Sequence, residues 1–170
     1  MAAGYATIEN DGYYREPTCI LKITDSSGEK ILSTKQEETA VYKENASRMM
    51  TDILKGVLTN GTGRGLALDG MPCAGKTGTT NENKDGWFVG YTRYYTTSVW
   101  VGYDMPKKLS GLSGASYPGR IWKTFMQKIH EGLEPQEFLS YESGQPTTEE
   151  VAPQENPSAE IPENTTDQDQ

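Results

Sequence analysis

Residues 61–104 read GTGRGLALDGMPCAGKTGTTNENKDGWFVGYTRYYTTSVWVGYD. Three β-rich runs stand out within this stretch: residues 74–80 (AGKTGTT), 86–92 (GWFVGYT) and 96–103 (TTSVWVGY). The last two form an aromatic pair joined by a tight turn, which predicts an antiparallel hairpin. A strand places alternate side chains on one face, so on the first run Lys76 and Gly78 point one way and Thr77 and Thr79 the other.

Upstream, Asn45 is placed to cap a helix running to about Thr59. Met50, Ile53, Leu54, Val57 and Leu58 fall at i, i+3, i+4, i+7 and i+8, which predicts one buried apolar face. Asn60-Gly61 ends that helix, and Gly61, Gly63 and Gly65 make a flexible connection. Residues 18–24 and 29–34 flank Asp25-Ser26-Ser27-Gly28 and read as a hairpin. Residues 1–9 read as the end of a helix stopped by Asn10-Asp11-Gly12. Downstream, a last helix is predicted over 118–131, with Ile121, Trp122, Phe125, Met126 and Ile129 as its buried stripe and Gly132 at its end. The order is helix, hairpin, helix, three strands, helix. This is an α+β fold, an antiparallel sheet flanked by helices.

Of the 170 residues, 16 are Lys or Arg and 24 are Asp or Glu, a net charge of −8. The surplus is local. Residues 140–170 hold eight acidic groups, four prolines and no Lys or Arg, and without them residues 1–139 balance at 16 against 16. Such a segment cannot bury enough apolar surface to offset its chain entropy, so 140–170 is predicted to be a disordered acidic tail on a folded part spanning 1–139. The balanced charge gives no footprint for nucleic acid. No run of 18 apolar residues exists to span a bilayer, and the first residues lack the basic region of a signal peptide. Two cysteines, Cys19 and Cys73, and one histidine, His130, provide no metal-ligand spacing and no Ser-His or Cys-His mechanism within the chain. No metal and no cofactor is implied. Any chemistry must use Lys, Ser, Thr, Tyr or carboxylates.

Two readings compete for residues 70–79. Gly70-Met-Pro-Cys-Ala-Gly75-Lys76-Thr77 satisfies the P-loop expression G-x-x-x-x-G-K-[ST], but the residues after it, Gly78-Thr-Thr-Asn-Glu-Asn-Lys-Asp-Gly86, have a turn composition where nucleotide binding needs a helix N-terminus. The other reading makes Lys76-Thr77-Gly78-Thr79 the edge of a cleft. Lys76 supplies positive charge, Gly78 lets a ligand backbone approach, and the hydroxyls of Thr77 and Thr79 suit a carboxylate. An exposed amide on the same strand suits an oxyanion. The plain alternative is a Thr-rich strand carrying a solvated Lys.

The quoted stretch resembles the C-terminal part of the transpeptidase domain of class A penicillin-binding proteins. In that family K-T-G-T/S is followed by an Asp-x-Trp-Phe-x-Gly-Tyr block, matched by Asp85-Gly-Trp87-Phe88-Val-Gly90-Tyr91, and preceded by G-T-G, matched by Gly61-Thr62-Gly63. The opening MAAGYATIENDGYYREP is similar to the family's alanine-rich helix ending in A-N-x-G, with Asn10 and Gly12 in place, and Ile121–Met126 resembles its C-terminal helix. The resemblance runs from residue 1 to about 138. It implies a partial beta-lactamase/transpeptidase-like fold and a serine acyl-enzyme that cross-links peptidoglycan stem peptides and is acylated by beta-lactams. It further implies that Lys76 contributes electrostatically, that Thr77 and Thr79 bind the substrate carboxylate, and that the Thr79 backbone N–H forms half of the oxyanion hole. The implied location is the extracytoplasmic face of the bacterial membrane.

The family's S-x-x-K and S-x-N motifs lie upstream of K-T-G. The only S-x-x-K here, Ser27-Gly-Glu-Lys30, falls in the hairpin turn, and no S-x-N occurs. The chain is therefore expected to be a fragment, inactive alone, that exposes apolar helix faces. A non-catalytic interaction module on the same fold is the alternative. Cys73 is expected to be a buried small residue and His130 to lie on the polar side of the last helix. Trp87, Trp100 and Trp122 are expected in the core, Asp85 to close a strand turn, and Arg93-Tyr94-Tyr95 to form an exposed hairpin tip.

Overall fold

A computed structural model describes residues 1–144. The elements run α1 (Ala2–Glu9), β1 (Tyr13–Arg15), β2 (Lys22–Thr24), β3 (Lys30–Ser33), β4 (Glu38–Ala40), α2 (Glu44–Thr59), β5 (Ala74–Thr79), β6 (Gly86–Tyr91), β7 (Thr96–Val101) and α3 (Tyr117–Ile129). The three strands expected from the aromatic stretch form one antiparallel sheet in the order β5-β6-β7. Lys76 lies opposite Val89, Gly78 opposite Trp87, and Trp87 opposite Trp100. The β6–β7 turn is closed by Thr92, whose N–H donates to the Tyr95 carbonyl while its Oγ1 accepts from the Tyr94 and Tyr95 amides.

Each sheet face is covered by a helix layer because the strands alternate aromatic and small residues. On one face Phe88 stacks obliquely on Trp122 of α3, with ring centroids 4.8 Å apart, and both are fully buried. A Cβ at Gly90 would lie 2.5 Å from the Trp122 ring, so glycine there is what lets α3 come down onto β6. On the other face Tyr91, also fully buried, packs with Leu54 of α2, Ala74, Tyr5 and Phe138. Its hydroxyl lies 3.0 Å from that of Thr51. Burial pushes the Tyr91 pKa up to about 12.

The helices differ from expectation in which side they bury. In α2 the inward residues are Ser47, Thr51, Leu54 and Leu58, whereas Met50 is exposed and Ile53 is 63% exposed. In α3 Trp122 and Met126 are buried, but Ile121 and Phe125 are exposed. The apolar stripes are wider than the three-stranded sheet can cover. Asn45 does not cap α2: that position belongs to Lys43, and Asn45 lies one residue inside the helix. Its amide instead brackets the backbone of Glu142, accepting from the N–H at 2.7 Å and donating to the carbonyl at 3.2 Å.

His130 is buried, not on a polar side. Its Nδ1 lies 2.7 Å from the Met126 carbonyl and its Nε2 2.8 Å from Thr92 Oγ1. A carbonyl only accepts, so Nδ1 carries the proton and Nε2 accepts from the Thr92 hydroxyl. The Arg93–Tyr95 tip is docked rather than free: Arg93 pairs with Glu9 at 2.9 Å, and Tyr94 donates to the Glu134 carbonyl. The predicted hairpin forms as β2–β3, with Asp25 Oδ1 accepting from the Ser27 and Glu29 amides. A second pair, β1–β4, joins Tyr13–Arg15 to Glu38–Ala40, and the sequence reading had no strand there. Both strands are three residues long and are joined by no short turn of the kind that marks β2–β3, so no local signal pairs them. The predicted tail from residue 145 onward lies outside the described residues.

Asp11, held at φ 53° where α1 ends, receives Arg48 Nε and Nη2 on its two carboxylate oxygens, each at 2.9 Å. The Arg48 hydrogen bond holds the Asp11 carboxyl below the usual range. A carboxyl depressed in the fold stabilises above its unfolded pKa of about 3.9, and that contribution is lost as pH falls through the lower folded value. Asp11→Asn, which tolerates the same backbone, should cost about 1 kcal/mol at pH 7. Urea melts should show that difference shrinking toward pH 2.

Candidate active site

The Lys76-Thr77-Gly78-Thr79 run lies on β5, the edge strand of the sheet. Thr80 N–H donates to the Asp85 carbonyl at 3.0 Å. In an antiparallel ladder, bonded and non-bonded positions alternate, so Gly78 and Lys76 direct their peptide groups at β6 while Thr77 and Thr79 direct theirs outward. The outward Thr77 carbonyl accepts a hydrogen bond from Lys76 Nζ at 2.8 Å. The Thr79 amide therefore faces the open edge as a donor with no strand partner.

Two other segments complete the edge. Thr62 of the Gly61-Thr62-Gly63 turn places Oγ1 2.6 Å from Thr77 Oγ1. The turn is tight because a Cβ at Gly61 would come within 2.7 Å of the Val57 backbone. The two short motifs, fifteen residues apart, thus share a hydrogen bond. Gly114 N–H donates to Thr79 Oγ1 at 3.0 Å, leaving that hydroxyl its own proton to offer. A Cβ on Gly114 would meet the Trp87 carbonyl at 2.4 Å and the Gly78 backbone at 2.8 Å, so this glycine lies flat on the Gly78–Trp87 pair. The sequence reading missed Gly114. Its signal, a glycine in the small-residue run before α3, carries no meaning until the run is laid on β5.

On the opposite face, Trp87 and Trp100 tilt together with centroids 6.3 Å apart. Trp100 Nε1–H donates to Asp85 at 3.0 Å. Of the three tryptophans expected in the core only Trp122 is fully buried: Trp87 is half-buried and Trp100 is 41% exposed. Asp85 closes the β5–β6 connection through Thr80, as expected. Cys73 is buried, accepts from Leu68 N–H, and burial pushes its thiol up, which keeps it a thiol rather than a nucleophilic thiolate. Ser27 donates to Asp25 Oδ1 at 2.7 Å within its hairpin turn, while Lys30 starts β3. Thr77 is followed by the rest of a strand, so the helix N-terminus that a P-loop requires is not there. Among the described residues, no three His, Cys, Asp or Glu gather to hold a metal, and no helix is long and apolar enough to cross a membrane.

Residues 1–131 match the family described as the penicillin binding protein transpeptidase domain. Penicillin-binding protein 1A of Clostridium acetobutylicum is 39% identical over 134 residues, which is 78% of this chain and 16% of the relative. Penicillin-binding protein 1A of Streptococcus pneumoniae is 38% identical over 156 residues, covering 81% of this chain and 21% of the relative. The crystal structure of penicillin-binding protein 1A from Haemophilus influenzae superposes with a TM-score of 0.71 at 22% identity, over 81% of this chain and 27% of that one, which speaks to fold alone. The chain thus spans about a fifth of the curated relatives' length. With residues 1–131 matched by the family and relatives up to 39% identical over most of its length, the chain belongs to the transpeptidase family of penicillin-binding proteins, as a fragment of that domain of the class A type.

Proposed function

We propose that the open edge of β5 is the carboxylate- and oxyanion-binding side of a serine D,D-transpeptidase that cross-links peptidoglycan stem peptides. The observation that carries this reading is the outward Thr79 amide beside the joined hydroxyls of Thr62 and Thr77. A stem peptide laid along this edge would extend the sheet, its backbone pairing with β5. A serine Oγ attacks the penultimate D-Ala carbonyl, and the oxyanion that forms accepts from Thr79 N–H. The C–N bond then breaks and the terminal D-Ala leaves, taking a proton on its amine. An amine from a neighbouring peptide attacks the ester and restores the serine. Lys76 supplies positive charge near the developing anion, Thr77 and Thr79 hydroxyls hold the substrate carboxylate, and Gly78 admits the peptide backbone. The beta-lactam carbonyl follows the first half of this path and stops at the acyl-enzyme.

This reading assigns the nucleophile to no residue of 1–144: Ser27, which begins the one S-x-x-K in the sequence, donates to Asp25 in a surface turn. The site is completed by S-x-x-K and S-x-N residues contributed from outside this chain, and the 170 residues alone are inactive. The division into a transpeptidase portion over 1–139 and an acidic tail over 140–170, and an extracytoplasmic location at the bacterial membrane, belong to the same proposal. A fluorescent penicillin should label the full-length protein covalently and leave the isolated chain unlabelled. Labelling of the isolated chain that vanishes in Ser27→Ala would overturn the assignment of the nucleophile.

A further inference from the structure

A groove of about 810 Å³ lies between the 64–66 loop and one side of α3. Arg64, Arg120, Lys123 and Lys128 line it, against one acid, Glu131. The α3 residues fall on one stripe at 120, 123, 124, 127 and 128, the i, i+3, i+4 spacing of a single helix side, and Glu131 follows just past the helix end. The local acids occupy only the lysines: Lys128 bonds Glu131 at 2.9 Å, and Lys123 faces Asp69 at 4.0 Å. The guanidinium groups of Arg64 and Arg120 have no anionic partner among the described residues. Arg120 and Lys123 are like charges three residues apart, a mutual repulsion that a bound counter-charge would relieve.

The chain carries its own counter-charge. Residues 145–170 hold seven carboxylates and no Lys or Arg, whereas residues 1–139 are neutral overall. We propose that this acidic C-terminal segment docks in the Arg64–Arg120–Lys123–Lys128 groove, placing Glu155, Glu160 and Glu163 against its cations. Reach permits it. Glu142 is fixed at the start of α2 by Asn45. α2 is about 24 Å long at 1.5 Å per residue, and the thirteen residues from Glu142 to Glu155 span at most about 45 Å. Glu160 and Glu163 can lie about 10 Å apart, and Arg120 to Lys128 along the helix is about 12 Å. Each exposed pair is weak, but tethering gives the segment a local concentration of about millimolar, so weak pairs in a set suffice. Docking governed by such pairs is salt-sensitive, since ~10 Å screening at 0.1 M shortens further as salt rises.

The test is zero-length carbodiimide cross-linking of the full chain, which joins Lys to Glu, mapped by peptide mass spectrometry. At 20 mM salt, links from Glu155, Glu160 or Glu163 to Lys123 and Lys128 should exceed those to Lys22, Lys30, Lys107 and Lys108 by about fivefold or more, within a monomer. They should fall by a similar factor at 0.5 M salt and in the double variant Arg64→Glu/Arg120→Glu, which keeps both reactive lysines. The local Lys128–Glu131 link should persist in that variant and report that α3 is intact. Links spread evenly over all six lysines overturn the proposal. So do links found only in dimers, which would make the occupant a second copy's tail. Blocking of Lys123 and Lys128 by added inorganic polyphosphate, with no tail links in its absence, would make the groove a site for a foreign polyanion and overturn it as well.

Discussion

Replacing Lys76 by Ala is expected to slow acylation of the full-length protein by fluorescent penicillin by about 10²- to 10³-fold, the usual cost of removing a preorganised electrostatic contact to a developing anion. The same change should leave stability within about 0.5 kcal/mol, because Lys76 is exposed and its one bond is to its neighbour's carbonyl. That separation makes the readout clean: acylation falls while the melt does not move. Thr77→Val should cost less, roughly tenfold, since the Thr79 hydroxyl and amide remain, and Thr77→Ser should restore most of it by re-forming the bond to Thr62. Neither change reaches the Thr79 backbone N–H, which no side-chain deletion removes. Unchanged acylation kinetics in Lys76→Ala would remove β5 from the reaction.

Trp122→Ala should be the most damaging single change to the fold, at about 3–5 kcal/mol. A domain of this size has about 5–15 kcal/mol in total, so the variant should be largely unfolded or close to it. Trp122 is fully buried, stacks on Phe88 at 4.8 Å, sits against the bare Cα of Gly90 and donates Nε1–H to the Gly90 carbonyl at 3.2 Å. Nothing nearby can collapse into the space without moving α3 off the sheet. Trp122→Phe keeps most of the packing and loses only the indole hydrogen bond, since the Gly90 carbonyl still faces Thr97 across the β6–β7 ladder, at about 1 kcal/mol. Trp100→Ala, on an exposed ring, should cost about 1 kcal/mol. Urea titrations of the three variants order them; equal midpoints for the Trp122 and Trp100 alanine variants would refute the packing account.

Much of this was legible in the residues. Strand identity in 74–103 follows from β-branched and aromatic runs punctuated by turns, and those strands form with the expected antiparallel pairing. The positions of α1, α2 and α3 follow from their local start and stop signals to within a residue or two. The face that each helix buries was not legible. Met50, Ile53, Ile121 and Phe125 have the same apolar chemistry as Leu54 and Trp122, and only the width and position of the sheet separates those it covers from those it leaves exposed. His130 shows the converse. A lone polar residue near a helix end reads as solvated, yet it is buried because Thr92 and the Met126 carbonyl happen to satisfy both ring nitrogens.

The candidate site divides the same way. Composition and short-range pattern determined the fold class, the β5 motif and the chemistry available to it, because strand periodicity and residue type are local properties of the chain. Tertiary structure alone decided that β5 lies at the sheet edge with the Thr79 amide outward, that Thr62 reaches Thr77, and that Gly114 lies flat against Gly78. Those are contacts between residues fifteen or more positions apart. Their geometry depends on how helices and strands stack, and no local preference encodes it.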